Sequence, residues 1–150
     1  SLGMLAHDVA RAMADEELLH RADELGLPVG TVEQAIPLLL HGPVGAEMLV
    51  KEEGLTDTSI HQAVYWHSTA HPDLDPLGKL VFLADKLDPQ KVLRFPYQPL
   101  LMQMATEDLD RAILEFLSRE TVALVSRGLM VHPKVLETRN CLLAASAQED

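Results

Sequence analysis

The chain has 150 residues, 47% of them hydrophobic and only 4% aromatic, with a formal net charge of −11. That length suits one domain whose core is packed by Leu, Val, Ala and Met, which favours helix-on-helix layers over a sheet sandwich. The acidic balance excludes a general nucleic-acid-binding surface, since phosphate backbones recruit basic faces, but leaves room for a small anionic substrate held by a local group of cations. The single cysteine, Cys141, excludes an internal disulfide and fits a reducing, cytoplasmic setting. No apolar run is long enough for a bilayer and there is no signal-peptide pattern, so no membrane partner is expected.

Helical periodicity runs through the chain. Met4, His7, Asp8 and Arg11 share one face, so a helix is already under way at the start, and the expectation is that a further helical segment precedes Ser1. Asp15-Glu16-Glu17 is an acidic first turn of the next helix, with Leu18, Leu19, Ala22 and Leu25 as its stripe and Gly26 as its stop. Thr31-Val32-Glu33-Gln34 reads as a capping box in which Gln34 reaches back to the Thr31 amide. A helix is predicted from His41 to Glu53, closing at Gly54, and another from an Asp57 cap to about Ser68. Two prolines make Ala70 to Pro76 a loop, followed by a helix over Leu77 to Leu87. Pro89 to Pro99 is expected to be irregular. The longest helix is predicted over Thr106 to Arg127, with Leu109, Ala112, Ile113, Phe116 and Leu117 inward and Gly128 as its end. Pro133 opens a last helix reaching about Ala145, before a loose tail. Met102 and Met104 suit a core or a contact with a second copy of the chain, with the core preferred. The fold class is therefore all-α, a helical bundle, read as a single domain over 1–150.

Five residues sit awkwardly for packing alone. His7-Asp8 is an adjacent pair whose side chains diverge by roughly 100° on a helix yet still reach one ion beside it. Taken alone, the pair also fits a polar helix surface. Asp85 ends the apolar run Leu80-Val81-Phe82-Leu83-Ala84, with Val81 and Phe82 on its own face. A carboxylate there needs a cation or a set of hydrogen bonds, and Lys86 or Lys79 would also satisfy it. His67 continues the stripe Ile60, Ala63, Val64, and His41 follows Leu38-Leu39-Leu40; singly, these suit a core histidine and a helix-opening residue. Together the inward imidazoles and the two carboxylates suit iron, manganese, zinc or nickel better than calcium or magnesium. His20 reads as solvent-facing, and His61 and His71 have no evident role.

The blocks Leu5-Ala6-His7-Asp8-Val9-Ala10-Arg11, Leu39-Leu40-His41-Gly42-Pro43-Val44-Gly45-Ala46, Ala63-Val64-Tyr65-Trp66-His67-Ser68-Thr69, Leu83-Ala84-Asp85, and His132-Pro133 with Thr138-Arg139-Asn140 resemble, in order and spacing, the YqeK-type proteins of the HD-domain phosphohydrolases. The resemblance spans about Leu2 to Leu143. It implies an all-α bundle around iron, mononuclear or dinuclear. In it His7, Asp8 and Asp85 match metal-binding positions, and Asp8 and Asp85 catalytic ones. His41 and His67 would join a second ion where there is one. Arg11, His41, His67, Ser68, Asp85 and Lys91 match phosphate-facing positions. The segment Gly128, Leu129, Met130, Val131, His132 and Pro133 matches the stretch that lies along the nucleotide. Three departures stand out: arginine at Arg11 for the usual lysine, lysine at Lys91 for the common arginine, and Ala70 for a glycine. The family's first histidine ligand lies upstream of His7-Asp8. The implied activity is metal-dependent cleavage of diadenosine tetraphosphate, or a related dinucleoside polyphosphate, to two nucleoside diphosphates. The alternatives are a phosphatase acting on another nucleotide and a non-catalytic nucleotide-binding helical module.

Overall fold

A computed structural model of the protein describes residues 10–149. Among these residues there are eight α-helices and no strand, as the composition predicts. The chain divides into two compact units, Ser1–Thr69 and Ala70–Asp150.

The first unit contains α1 (Asp15–Glu24), α2 (Thr31–Ala35), a 3-10 turn (Pro37–Leu40), α3 (His41–Glu53) and α4 (Thr58–Tyr65). Asp15, Glu16 and Glu17 lie in the first turn of α1, where their charge opposes the helix dipole, and Leu18 and Ala22 are its buried stripe. Gly26 follows in the left-handed conformation, φ 68°. The box at α2 is one residue out of the expected register: Gly30 precedes the helix and its N–H donates to Glu33 Oε2 at 2.8 Å, so Glu33 and not Gln34 reaches back. Leu18, Ala22, Leu40 and Val44 form one apolar cluster, and Ala46, Leu49 and Val64 a second that fastens α3 to α4. The Asp57 carboxylate caps α4 by accepting from the Ile60 amide. That helix stops at Tyr65 and not Ser68, and the chain turns so that His67 is carried by the segment beyond it.

The second unit contains α5 (Pro76–Lys86), a 3-10 turn (Pro89–Lys91), α6 (Gln98–Glu107), α7 (Leu109–Ser126) and α8 (Pro133–Glu149). Asp75 caps α5 through Gly78 N at 2.8 Å. The helix expected over 106–127 begins instead at Leu109, and Thr106 and Glu107 end a separate helix, α6, not expected from the sequence. Asp108 is extended, φ −156° and ψ 107°, and its carboxylate accepts from the Arg111 amide, so one residue ends α6 and caps α7. The expected inward stripe holds, with Ala112, Ile113, Phe116 and Leu117 buried against Phe82, Leu83, Phe95 and Leu101. Met104 packs on that core, whereas Met102 is exposed, contrary to the core assignment. The last helix runs to Glu149, past the loose tail expected after Ala145.

Ala70 is the one described non-glycine residue with positive φ, 67°, and it is buried. This is a backbone conformation in which glycine is at ease and alanine is strained, which accounts for a glycine being usual there. A β-branched side chain combines that strain with overpacking. Ala70→Val is therefore expected to cost about 2–5 kcal/mol, read as a lowered midpoint in urea unfolding.

Candidate active site

In the first unit the 3-10 turn delivers His41 to the start of α3, and the turn after α4 delivers His67. Both are buried, at 6% and 0% exposure. Their Nε2 atoms face each other at 2.7 Å, and Ser68 Oγ lies 3.4 Å from His41 Nε2. His41 Nδ1 bonds the Leu38 carbonyl, and His67 Nδ1 bonds the Val64 carbonyl at 2.7 Å. A carbonyl only accepts, so both rings carry a proton on Nδ1 and present Nε2 as a lone pair. Two buried lone pairs this close repel unless a proton or a cation serves both. The donor set therefore fits a transition-metal ion, which takes neutral imidazole nitrogens whose other nitrogen is held by a carbonyl.

Gly42 makes this apposition sterically feasible. A Cβ at this position would stand 2.8 Å from the Tyr65 carbonyl oxygen, 3.0 Å from that of Val64 and 3.3 Å from His67 Nδ1. The sequence marked His41-Gly42-Pro43 as a distinctive block, but the reason for its glycine is the α4 backbone lying against it. Arg11 sits in a turn at the surface, with no contact that ties it to the histidine pair among those described.

In the second unit Asp85 ends the buried stripe of α5 and is 8% exposed. One carboxylate oxygen accepts from Lys86 Nζ and the other from Lys91 Nζ, both at 2.9 Å. Lys79 instead pairs with Asp110. Lys86 is itself buried, with its ammonium 4.7 Å from the Phe82 ring centroid. Burial pushes its pKa down, Asp85 pulls it back by charge and hydrogen bond, and Lys91 and Arg94 add to the lowering. Gln98, which periodicity alone does not single out, is buried. Its amide donates to the Lys86 and Asp88 carbonyls at 2.9 and 2.8 Å, tying down the end of the helix that carries Asp85.

The segment 128–133 joins α7 to α8. Gly128 takes φ 69°, and the Leu129 amide returns to Leu124 O at 2.9 Å, a glycine-closed helix end. Leu129 and Met130 are exposed, at 43% and 47%, while Val131 packs on the core. His132 Nδ1 accepts from the Lys134 amide at 3.0 Å, and Pro133 opens α8. His7 and Asp8 lie outside the described residues. Among the residues described, no group of three or more His, Cys, Asp or Glu side chains gathers around one point. No described helix is long and apolar enough to cross a membrane.

His20 lies at the surface beside Glu24, as expected. Comparison with known proteins agrees with the sequence blocks. Residues 1–90 match the HD-domain family model. The symmetrical bis(5'-nucleosyl)-tetraphosphatase of Bacillus subtilis is 27% identical over 97% of this chain and 76% of its own length. The protein of that name from Halalkalibacterium halodurans is 34% identical over 70% of this chain, which spans only 55% of it. Among solved structures, an HD-superfamily hydrolase from Clostridium acetobutylicum, described as involved in NAD metabolism, superposes with a TM-score of 0.87. The match covers 94% of this chain and 74% of that one, at 27% identity. The chain belongs to the HD-domain family.

Proposed function

We propose that this chain hydrolyses dinucleoside polyphosphates, cleaving diadenosine tetraphosphate symmetrically into two nucleoside diphosphates. The observation that carries this reading is the buried His41–His67 pair, whose converging Nε2 lone pairs suit a metal ion. The names of the sequence relatives support the choice of substrate.

By resemblance, His7, Asp8 and Asp85 would hold the ion, and His41 and His67 offer nitrogen donors for a second. Iron is the metal the resemblance implies, and manganese, zinc or nickel suits the same donors. When bound, such an ion supplies the Lewis acidity that brings a water's pKa toward neutrality. The chain's own residues do the rest. Arg11 and Lys91 supply positive charge and the Ser68 hydroxyl a hydrogen bond for the phosphate oxygens, while the His41 and His67 imidazoles serve as nitrogen donors. Water attacks a phosphorus, the phosphoanhydride bond on its far side breaks, and the leaving nucleoside diphosphate departs as an anion stabilised by those cations. Asp8 and Asp85 are the carboxylates available to accept the water's proton. The exposed Leu129 and Met130 offer apolar surface to a nucleobase.

Asp8→Ala is expected to abolish hydrolysis and to lower metal content in the same preparation. Full activity in that variant would remove the scheme. The neighbour described as acting in NAD metabolism favours a second reading, a phosphatase for another nucleotide. Chromatography of the products formed from diadenosine tetraphosphate separates the two, because only the first gives ADP as the single product.

A further inference from the structure

His61 has no role in the family pattern, yet it lies in a hydrogen-bonded chain that ends next to the buried histidines. Its Nε2 is 2.7 Å from Glu47 Oε1. Its Nδ1 is 3.0 Å from Gln62 Nε2, and the Trp66 indole N–H donates to Gln62 Oε1 at 3.1 Å. The chain has one consistent direction. An indole only donates, so the Gln62 carbonyl must face Trp66. The amide NH2 then faces His61 Nδ1, which must accept. His61 therefore keeps its proton on Nε2 and donates it to the Glu47 carboxylate. The Tyr65 ring lies within this chain, 5.8 Å from His61 and 4.5 Å from Trp66 between centroids. Burial, then Glu47 and Glu33, push the Tyr65 hydroxyl pKa up, so it stays neutral beside the carboxylate.

Trp66 is the residue immediately before His67, and its amide bonds Gln62 O at 3.1 Å. One residue, Gln62, thus holds Trp66 twice, by backbone and by side chain, at the turn that carries His67 and Ser68. We propose that Glu47, His61 and Gln62 are positioning residues. Through the Trp66 indole they set the orientation of that turn, and hence the meeting of His67 with His41. With the backbone before His67 fixed by this chain and its Nδ1 held by Val64 O, the ring keeps its Nε2 in place without reorganising as ligand binds. The consequence for rate rests on the hydrolase reading, while the consequence for ring geometry does not.

The test uses the whole chain with Gln62→Met, which keeps length and removes both side-chain bonds, and Trp66→Phe, which keeps a ring and removes the N–H. Ring resonances of the histidines are followed by NMR. The expected result is that the His67 and His41 signals move in both single variants and move no further in the double variant. With diadenosine tetraphosphate, kcat/KM is expected to fall roughly tenfold, the lower end for partners that orient a site's ligands. Movement of His61 signals alone overturns the proposal, as does unchanged kcat/KM in an active parent. A parent inactive on every dinucleoside polyphosphate would overturn the hydrolase reading, and coupled ring shifts would still uphold the network. If Gln62→Met does not fold, Trp66→Phe carries the same test alone.

Discussion

Gly42→Ala is expected to lower stability by about 1–3 kcal/mol and to take most of the hydrolytic activity with it. The usual expectation for a helical glycine is the opposite, since alanine gains up to about 1 kcal/mol of helix propensity. Here the new methyl meets backbone. The Tyr65 and Val64 oxygens, at 2.8 and 3.0 Å, cannot rotate out of its way. They are the last carbonyls of α4, so relief comes only by moving the start of α3 away from the end of α4. That displacement separates His41 from His67, whose contact is a 2.7 Å approach between two rigid rings. Urea unfolding reads the first effect and steady-state hydrolysis the second. Gly54→Ala is the control. Gly54 closes α3 at φ 71° with nothing within 4 Å of its Cβ position. Its replacement is expected to cost about 1–2 kcal/mol of left-handed strain and to leave hydrolysis unchanged. Equal loss of activity in both variants would mean that the close approach at Gly42 serves stability alone.

The sequence was informative wherever one residue's chemistry acts locally. Asp57 caps its helix through its own carboxylate, and Gly26, Gly54 and Gly128 end helices with positive φ, so these boundaries need no tertiary context. The start of α7 reads as Thr106 and not Leu109, and α6 goes unassigned, because apolar spacing continues across Asp108, from Leu101 and Met104 into Ala112 and Ile113. A one-residue junction leaves no gap in that pattern. The site divides in the same way. That Asp85 is buried follows from its own helical face, whereas His67 is buried by the turn that follows α4 and not by the helical stripe expected for it. Which groups meet them does not follow from such faces, because meeting depends on segments distant in the chain. Lys86 was legible as a partner for Asp85, being adjacent; that Lys91 takes the other oxygen depends on how the 3-10 turn at 89–91 folds back. His61 lies off the apolar stripe and so has no evident role in the sequence, although Glu47, on the neighbouring helix, is within hydrogen-bond reach.

Asp85→Ala is expected to cost about 3–5 kcal/mol of stability as well as activity, because it strips the carboxylate from a buried ammonium. The Lys86 side chain is 9% exposed, and Lys91 is 16% exposed. With Asp85 gone, two positive charges remain close together where burial already disfavours the charged form of Lys86. The Phe82 ring at 4.7 Å offsets part of this through its π face, by about 1–2 kcal/mol at most. Loss of activity in this variant would therefore have two causes. The double variant Asp85→Ala with Lys86→Met separates them. Methionine fills a similar volume without charge, and Phe82 and Phe116 already line the space it would occupy. Removing both members of a buried pair is often close to neutral, so the double variant is expected to recover most of the stability lost by the single one. If Asp85 serves mainly to neutralise Lys86, hydrolysis returns with the fold. If it carries a metal ion or a proton, the restored fold stays inactive. The second outcome is expected, since a carboxylate that already accepts from two ammoniums still has a lone pair on each oxygen for a further cation.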